Sequence, residues 1–150
     1  MPQSLYQVHT HIVFSTKHRR PVLHEEFRSK LFAYMSGILL NLDCHSITIG
    51  GIEDHVHIGC VITKKHAPIK VIELLKKDSS KWLKTLSPQF CDFHWQDGYG
   101  LFSISASHVT ALRQYIMNQV EHHKKETFQI EYIRMLKKNN VEYNEQYMWD

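Results

Sequence analysis

The stretch Asp54-His55-Val56-His57-Ile58-Gly59-Cys60-Val61-Ile62 restricts the fold more than any other part of the chain. In extended backbone alternate side chains point to opposite faces, so Val56, Ile58, Cys60 and Ile62 share one face and His55 and His57 share the other. A strand of this kind needs a core on one side only, and its second side presents two neighbouring imidazoles. Such a pair can begin a metal site that draws its remaining ligands from elsewhere in the fold. The competing assignment is two histidines on a solvated face. The segment Tyr6 to Ser15 repeats the pattern, with Val8, Thr10, Ile12 and Phe14 on one face and His9, His11 and Val13 on the other. Spacing alone does not choose between the two His-x-His pairs.

With 150 residues, 43% of them hydrophobic, the chain can form one cored domain with a C-terminal extension. No apolar run approaches the ~18 residues of a membrane span. Met1-Pro2-Gln3-Ser4 has neither the basic nor the apolar segment of a signal peptide. Cys44, Cys60 and Cys91 form no CxxC pair and are odd in number, which suits a reducing cytoplasm rather than a disulfide framework. The net charge of +3 does not by itself demand a nucleic-acid partner, but its distribution is uneven. Lys17-His18-Arg19-Arg20 is a compact basic loop closed by Pro21, suited either to solvation or to clamping phosphates. Lys70, Lys77, Lys81 and Lys84 fall on one helical face, which is either a solubilising surface or a phosphate-tracking one.

Helical spacing of Phe27, Leu31, Tyr34, Met35, Ile38 and Leu42 predicts an amphipathic helix over about 24–42, with Glu25 and Glu26 in its first turn. A short strand, 47–52, and the central strand, 55–63, follow as an antiparallel pair. Pro68 marks the start of a second helix, about 69–86, packed through Val71, Leu75, Trp82 and Leu86. Gly98-Tyr99-Gly100 introduces a last strand, 101–105. The order strand, helix, strand, strand, helix, strand is that of the split βαβ or ferredoxin-like fold. Its sheet carries two helices on one face and leaves the other free.

A third helix is expected over about 108–126, with Ser107 as N-cap and an apolar stripe of Val109, Leu112, Ile116 and Val120. Tyr115, Gln119 and His122 form a polar stripe beside it. Docking of the apolar stripe on the free sheet face would carry Tyr115 and Gln119 toward the histidine pair; otherwise Tyr115 borders the packing surface and Gln119 is solvated. A short helix over 127–138 and an aromatic tail with Tyr143, Tyr147, Met148 and Trp149 complete the chain.

Five stretches stand in order along the chain: His11-Ile12-Val13-Phe14-Ser15-Thr16-Lys17-His18-Arg19-Arg20-Pro21, Asp54-His55-Val56-His57, Leu75-Lys76-Lys77-Asp78-Ser79-Ser80, Trp95-Gln96-Asp97-Gly98-Tyr99-Gly100-Leu101-Phe102-Ser103 and Tyr115-Ile116-Met117-Asn118-Gln119. In these words, and in His122-His123-Lys124-Lys125-Glu126-Thr127-Phe128, the chain resembles the small single-tyrosine, HUH-type transposases of insertion sequences, the IS200-like family. The likeness covers nearly the whole chain. Asp78 departs from it, standing where a basic residue is common.

The resemblance implies an α+β, ferredoxin-like (RRM-like) antiparallel sheet with two helices on one face and a tyrosine-bearing helix on the other. It implies a single domain over 1–150, with its core over about 5–106, its catalytic helix over about 108–126 and a C-terminal helix and tail over 127–150. It makes His55, His57 and Gln119 the ligands of a divalent metal, Mg²⁺ or Mn²⁺, and Tyr115 the nucleophile, and it leaves His9 and His11 outside the metal motif. The implied reaction cleaves and rejoins single-stranded DNA through a 5′-phosphotyrosine. The implied assembly is a homodimer in which the tyrosine helix of one subunit serves the histidines of the other. DNA hairpins near the element ends would be held by Lys17, Arg19, Arg20, Lys77 and Lys81. Two alternatives differ in chemistry: a non-catalytic ferredoxin-like nucleic-acid-binding module, and a metal-dependent phosphodiesterase that uses water.

Overall fold

In the computed structural model, which describes residues 2–150, a four-stranded antiparallel sheet is formed by β1 (His9–Ser15), β2 (His45–Gly51), β3 (His55–Val61) and β4 (Gly100–Ile104). Met1, the first residue of the segment weighed as a signal peptide, lies outside this range. The strand order is β2-β3-β1-β4, the ferredoxin-like order, with β1 and β3 at the centre. Their register sets Ser15 against His55 and Val13 against His57.

Alternation along these strands separates two cores. Ile12, Phe14, Val56, Ile58 and Cys60 face helices α1 (Glu25–Asn41) and α2 (Pro68–Leu86), where they pack with Leu31, Met35, Val71, Ile72, Leu75 and Leu83. Trp82, expected in the interior, is half-buried and stacks on Tyr34 with ring centroids 4.7 Å apart. The other face is covered by α3 (Val109–Met117), α4 (Gln119–His122) and α5 (Phe128–Lys138). Here Val13 and Phe102 pack with Phe128, Tyr132, Met135 and Leu136, and the tail closes over them through Tyr143, Met148 and Trp149.

The third helix differs from its expected form. It begins at Val109 after a 3-10 turn, Ala106–His108, so Ser107 lies inside that turn, its hydroxyl against Ser105 and His108, rather than capping the helix. At Asn118 the helix is interrupted, and α4 ends at His122 rather than near 126. Leu112 and Ile116 are buried as the stripe requires, but past the interruption Val120 is exposed and Gln119 is buried. A polar residue thus takes the interior place that an uninterrupted apolar stripe would give to valine.

α5 starts at Thr127, whose hydroxyl accepts from the Ile130 amide, and ends with Lys137 and Lys138 in its last turn, both favourable to the helix. Its buried stripe of Phe128, Tyr132, Met135 and Leu136 contains one acid, Glu131. No helix among the described residues is long and apolar enough to cross a membrane.

Candidate active site

On the α3–α5 side of β3, His55 and His57 are fully buried, and elements distant in sequence converge on them. α3 and α4 bring Tyr115 and Gln119, the turn after α4 brings His123, and α5 brings Glu131. Gln119 Oε1 lies 3.0 Å from His55 Nε2. The Tyr115 ring stands edge-on to His57, with centroids 5.8 Å apart. Tyr115, Gln119, His55 and His57, proposed from sequence as one set, therefore lie together within a single chain.

Glu131 is the hub of the site and was not singled out from the sequence. Its Oε1 lies 2.9 Å from His57 Nε2, 3.0 Å from His123 Nε2 and 3.3 Å from His55 Nε2. Its Oε2 accepts from the Tyr115 hydroxyl and, at 3.1 Å, from Gln119 Nε2. An unpartnered carboxylate taken out of water loses several kcal/mol of solvation, so this crowd of partners is what makes its burial tolerable. Burial alone would raise the Glu131 pKa, but the bonds from His123, His55 and His57 outweigh it and hold the carboxyl well below its usual range.

The outer nitrogens of the imidazoles are also held. His55 Nδ1 meets Asp54 Oδ1 at 2.7 Å, His123 Nδ1 meets the Glu126 carbonyl at 2.8 Å, and His57 Nδ1 meets His11 Nε2 at 2.7 Å. Burial opposes charging of His55, yet Asp54 and Glu131 overcome it and raise its pKa to about 9. His57 goes the other way, lowered to about 4 by burial despite Glu131. His11 falls to about 3 through burial and the neighbouring His57. The resemblance leaves His11 outside the motif; the fold sets it directly behind His57, while its strand partner His9 stays half-exposed. Adjacent antiparallel strands explain this, because His57 pairs with Val13 and His11 lies two residues along β1 from Val13, diagonally beside His57 on the same face.

Tyr115 is half-buried, and its pKa is raised by burial and by the negative Glu131, with Arg134 opposing. Arg134 Nη2 lies 3.4 Å from the phenol oxygen, and its Nη1 donates to Glu126 at 2.6 Å. A cleft of about 430 Å³ opens beside Tyr115 and His11, with Phe102, Leu112, Arg134 and Lys138 among its walls. The site therefore joins a phenol to a cluster of imidazole and carboxylate donors, with cationic side chains at its margin.

The basic residues named from sequence are not part of this cluster. Lys17 pairs with Asp97 at 3.2 Å and Arg20 with Asp92 at 3.3 Å, while the Arg19 guanidinium lies 5.2 Å from the Trp149 ring centroid. Lys77 and Lys81 are exposed on α2, across the sheet from the histidines. Their neighbour Lys76 has a structural place: its Nζ donates to the carbonyls of Gln96 and Gly98, each at 2.7 Å, and of Asp97 at 3.3 Å.

The missed residues had a partial signal. A lone acid inside the apolar stripe of α5 is what marks Glu131 in the sequence. His123 carries no such mark, because it lies in a turn whose path only the folded chain defines.

No curated protein matches the chain. Among solved structures, it is similar to a protein of Deinococcus radiodurans described as a candidate transposase, at 22% identity and a TM-score of 0.62, over 79% of this chain and 98% of the other. It is also similar to a REP-associated tyrosine transposase bound to a REP hairpin, at 14% identity and a TM-score of 0.57, over 81% of this chain and 74% of the other. At these identities the likeness shows a shared fold. Residues 4–119 match the family described as "Transposase IS200 like", which spans all four strands and every helix through α3. The chain belongs to the IS200-like transposase family.

Proposed function

We propose that the chain is a single-domain, HUH-type tyrosine transposase that cleaves and rejoins single-stranded DNA at the ends of an insertion sequence. The observation that carries this reading is the placing of Tyr115, Gln119, His55 and His57 around one buried point. In the first step the Tyr115 oxygen attacks the scissile phosphorus, the bond from phosphorus to the 3′ oxygen breaks, and a 5′-phosphotyrosine and a free 3′-hydroxyl result. In the second, a 3′-hydroxyl attacks the phosphotyrosine, restoring a phosphodiester and releasing the phenol. Because each step exchanges one phosphate ester for another, little energy is lost and rejoining is open to the enzyme.

The chain's own groups hold the nucleophile in place. The Tyr115 hydroxyl donates to Glu131 Oε2, so the carboxylate fixes the attacking oxygen in place. Burial and the negative Glu131 favour the protonated phenol before attack, and over the whole step its proton ends on the 3′ oxygen that leaves as a hydroxyl. His55, His57 and Gln119 would hold a divalent ion, Mg²⁺ or Mn²⁺; the His55 Nε2 and Gln119 Oε1 atoms lie 3.0 Å apart and His57 Nε2 also turns inward. When bound, that ion neutralises charge on the scissile phosphate. Lys17, Arg19, Arg20, Lys77 and Lys81 are the groups we assign to the DNA backbone away from the reacting bond, in keeping with a hairpin ligand like that of the REP-associated relative. We take the assembly to be a homodimer, as the resemblance implies, and its place to be the cytoplasm, as the unpaired cysteines suggest; we depart from the resemblance in assigning each site's groups to one chain.

The test incubates the protein and Mg²⁺ or Mn²⁺ with single-stranded oligonucleotides copied from the DNA flanking the gene. Denaturing gels should show a covalent protein–DNA adduct that Tyr115→Phe abolishes, and His57→Ala should bind the same DNA without cleaving it. Free cleaved ends from an active Tyr115→Phe variant would instead indicate a hydrolase using water. Binding without cleavage by the unaltered protein would indicate a binding module.

A further inference from the structure

We propose that His123 and Glu131 complete, with His55 and His57, a site of three imidazole nitrogens and one carboxylate oxygen that binds a divalent transition ion such as Mn²⁺ or Co²⁺ in preference to Mg²⁺. The inference rests on the reading above that His55 and His57 are metal ligands, and it adds two ligands from outside the HUH motif. One ligand atom from each of the four residues lies within 4.8 Å of every other. The Glu131 side chain is fully buried and that of His123 nearly so, both turned inward.

The outer hydrogen bonds turn the Nε2 atoms of these imidazoles inward. Asp54 Oδ1 and the Glu126 carbonyl can only accept, so Nδ1 of His55 and Nδ1 of His123 each carry a proton. In a neutral imidazole the inward Nε2 is then a bare lone pair, and each faces Glu131 Oε1, also an acceptor, at about hydrogen-bond distance. His57 repeats the arrangement when its Nδ1 donates to His11. Three lone pairs directed at one carboxylate oxygen repel unless positive charge lies among them. One divalent ion held by the four inward atoms would supply that charge. Outer hydrogen bonds that leave Nε2 facing inward are the usual support of metal-binding histidines.

The donor set then selects the ion. Mg²⁺ favours oxygen ligands and keeps much of its water, whereas imidazole suits first-row transition ions. Gln119 keeps a supporting place: its Nε2 donates to Glu131 Oε2, and its Oε1 beside His55 offers a further oxygen. Because His123 and Glu131 follow α4, the matched segment 4–119 ends before either residue.

The experiment uses the full chain, stripped of metal and titrated with MnCl₂, CoCl₂ and MgCl₂ by calorimetry, with pulsed electron paramagnetic resonance of the Mn²⁺-loaded protein counting the coupled imidazole nitrogens. The expected results are three coupled imidazoles, Mn²⁺ and Co²⁺ bound far more tightly than Mg²⁺, and Mn²⁺ affinity lowered about 100-fold or more by His123→Ala, above the roughly 10–100-fold cost of losing an outer partner. Glu131→Gln should weaken Mn²⁺ as well. The spectroscopic count needs no variant, so it decides the matter even if a substitution unfolds the chain. Two coupled imidazoles, with affinity unchanged in His123→Ala but lost in His57→Ala, would overturn this inference and leave the His55 and His57 site standing. Metal binding that survives His57→Ala would remove both.

Discussion

Glu131 shows what a single residue contributes to this molecule. It stands in the apolar stripe of α5, so the stripe itself announces the acid; what sequence cannot show is that its partners come from β3, α3, α4 and a turn. His55, His57, Tyr115 and Gln119 could be grouped in the sequence because their words resemble a family's; strand and helix spacing alone left the two His-x-His pairs equal and Gln119 open to solvation. Lys76 was read only as part of such a word, yet it is tied to three carbonyls of the 96–98 turn. Burial lowers its pKa to about 8, with Asp97 opposing. Its folded pKa therefore lies below the ordinary lysine value of ~10.4, and between these limits the unfolded chain holds the extra proton. Stability from this group should accordingly rise with pH across that window. Nuclear magnetic resonance of the Lys76 side chain is expected to give a midpoint near 8; titration at the ordinary lysine value would contradict the burial argument.

At the scale of elements, the sheet and its first two helices follow from hydrophobic periodicity, with boundaries shifted by a few residues. The third helix was harder to read because no proline or glycine marks its interruption at Asn118, where packing decides the outcome. The close seating of α3 depends on Gly50 of β2, where a Cβ atom would come within 2.5 Å of the Ile116 carbonyl oxygen and 2.9 Å of its side chain. The carbonyl belongs to helix backbone and cannot turn aside. Gly50→Ala should therefore push α3 off the sheet, at a cost of about 1–3 kcal/mol. Thermal unfolding should show a melting temperature lower by roughly 2–4 °C for each kcal/mol. DNA cleavage should fall with it, since Tyr115 rides on α3; an unchanged melting temperature would show that the contact yields freely.

Across the whole molecule, the order β2-β3-β1-β4 puts β1 and β3 at the centre, and the alternation of β3 sets its core side chains on one face and His55 and His57 on the other. The topology was legible because the order of elements admits few arrangements. The covering of the second face was not, since α5 and the tail close it through contacts far apart in sequence. With this covering, one chain can furnish every group of the proposed site. Mixing Tyr115→Phe protein with His57→Ala protein should then restore no adduct, since each chain lacks a group its own site needs. Recovery of the adduct in the mixture would show that the tyrosine helix crosses to a partner.

The central claim is tested most directly by digesting the trapped protein–DNA adduct and identifying the modified peptide by mass spectrometry. The account predicts a nucleotide joined through its 5′ phosphate to the Tyr115 oxygen. DNA attached at any other residue, or cleaved with no protein attached, would contradict it.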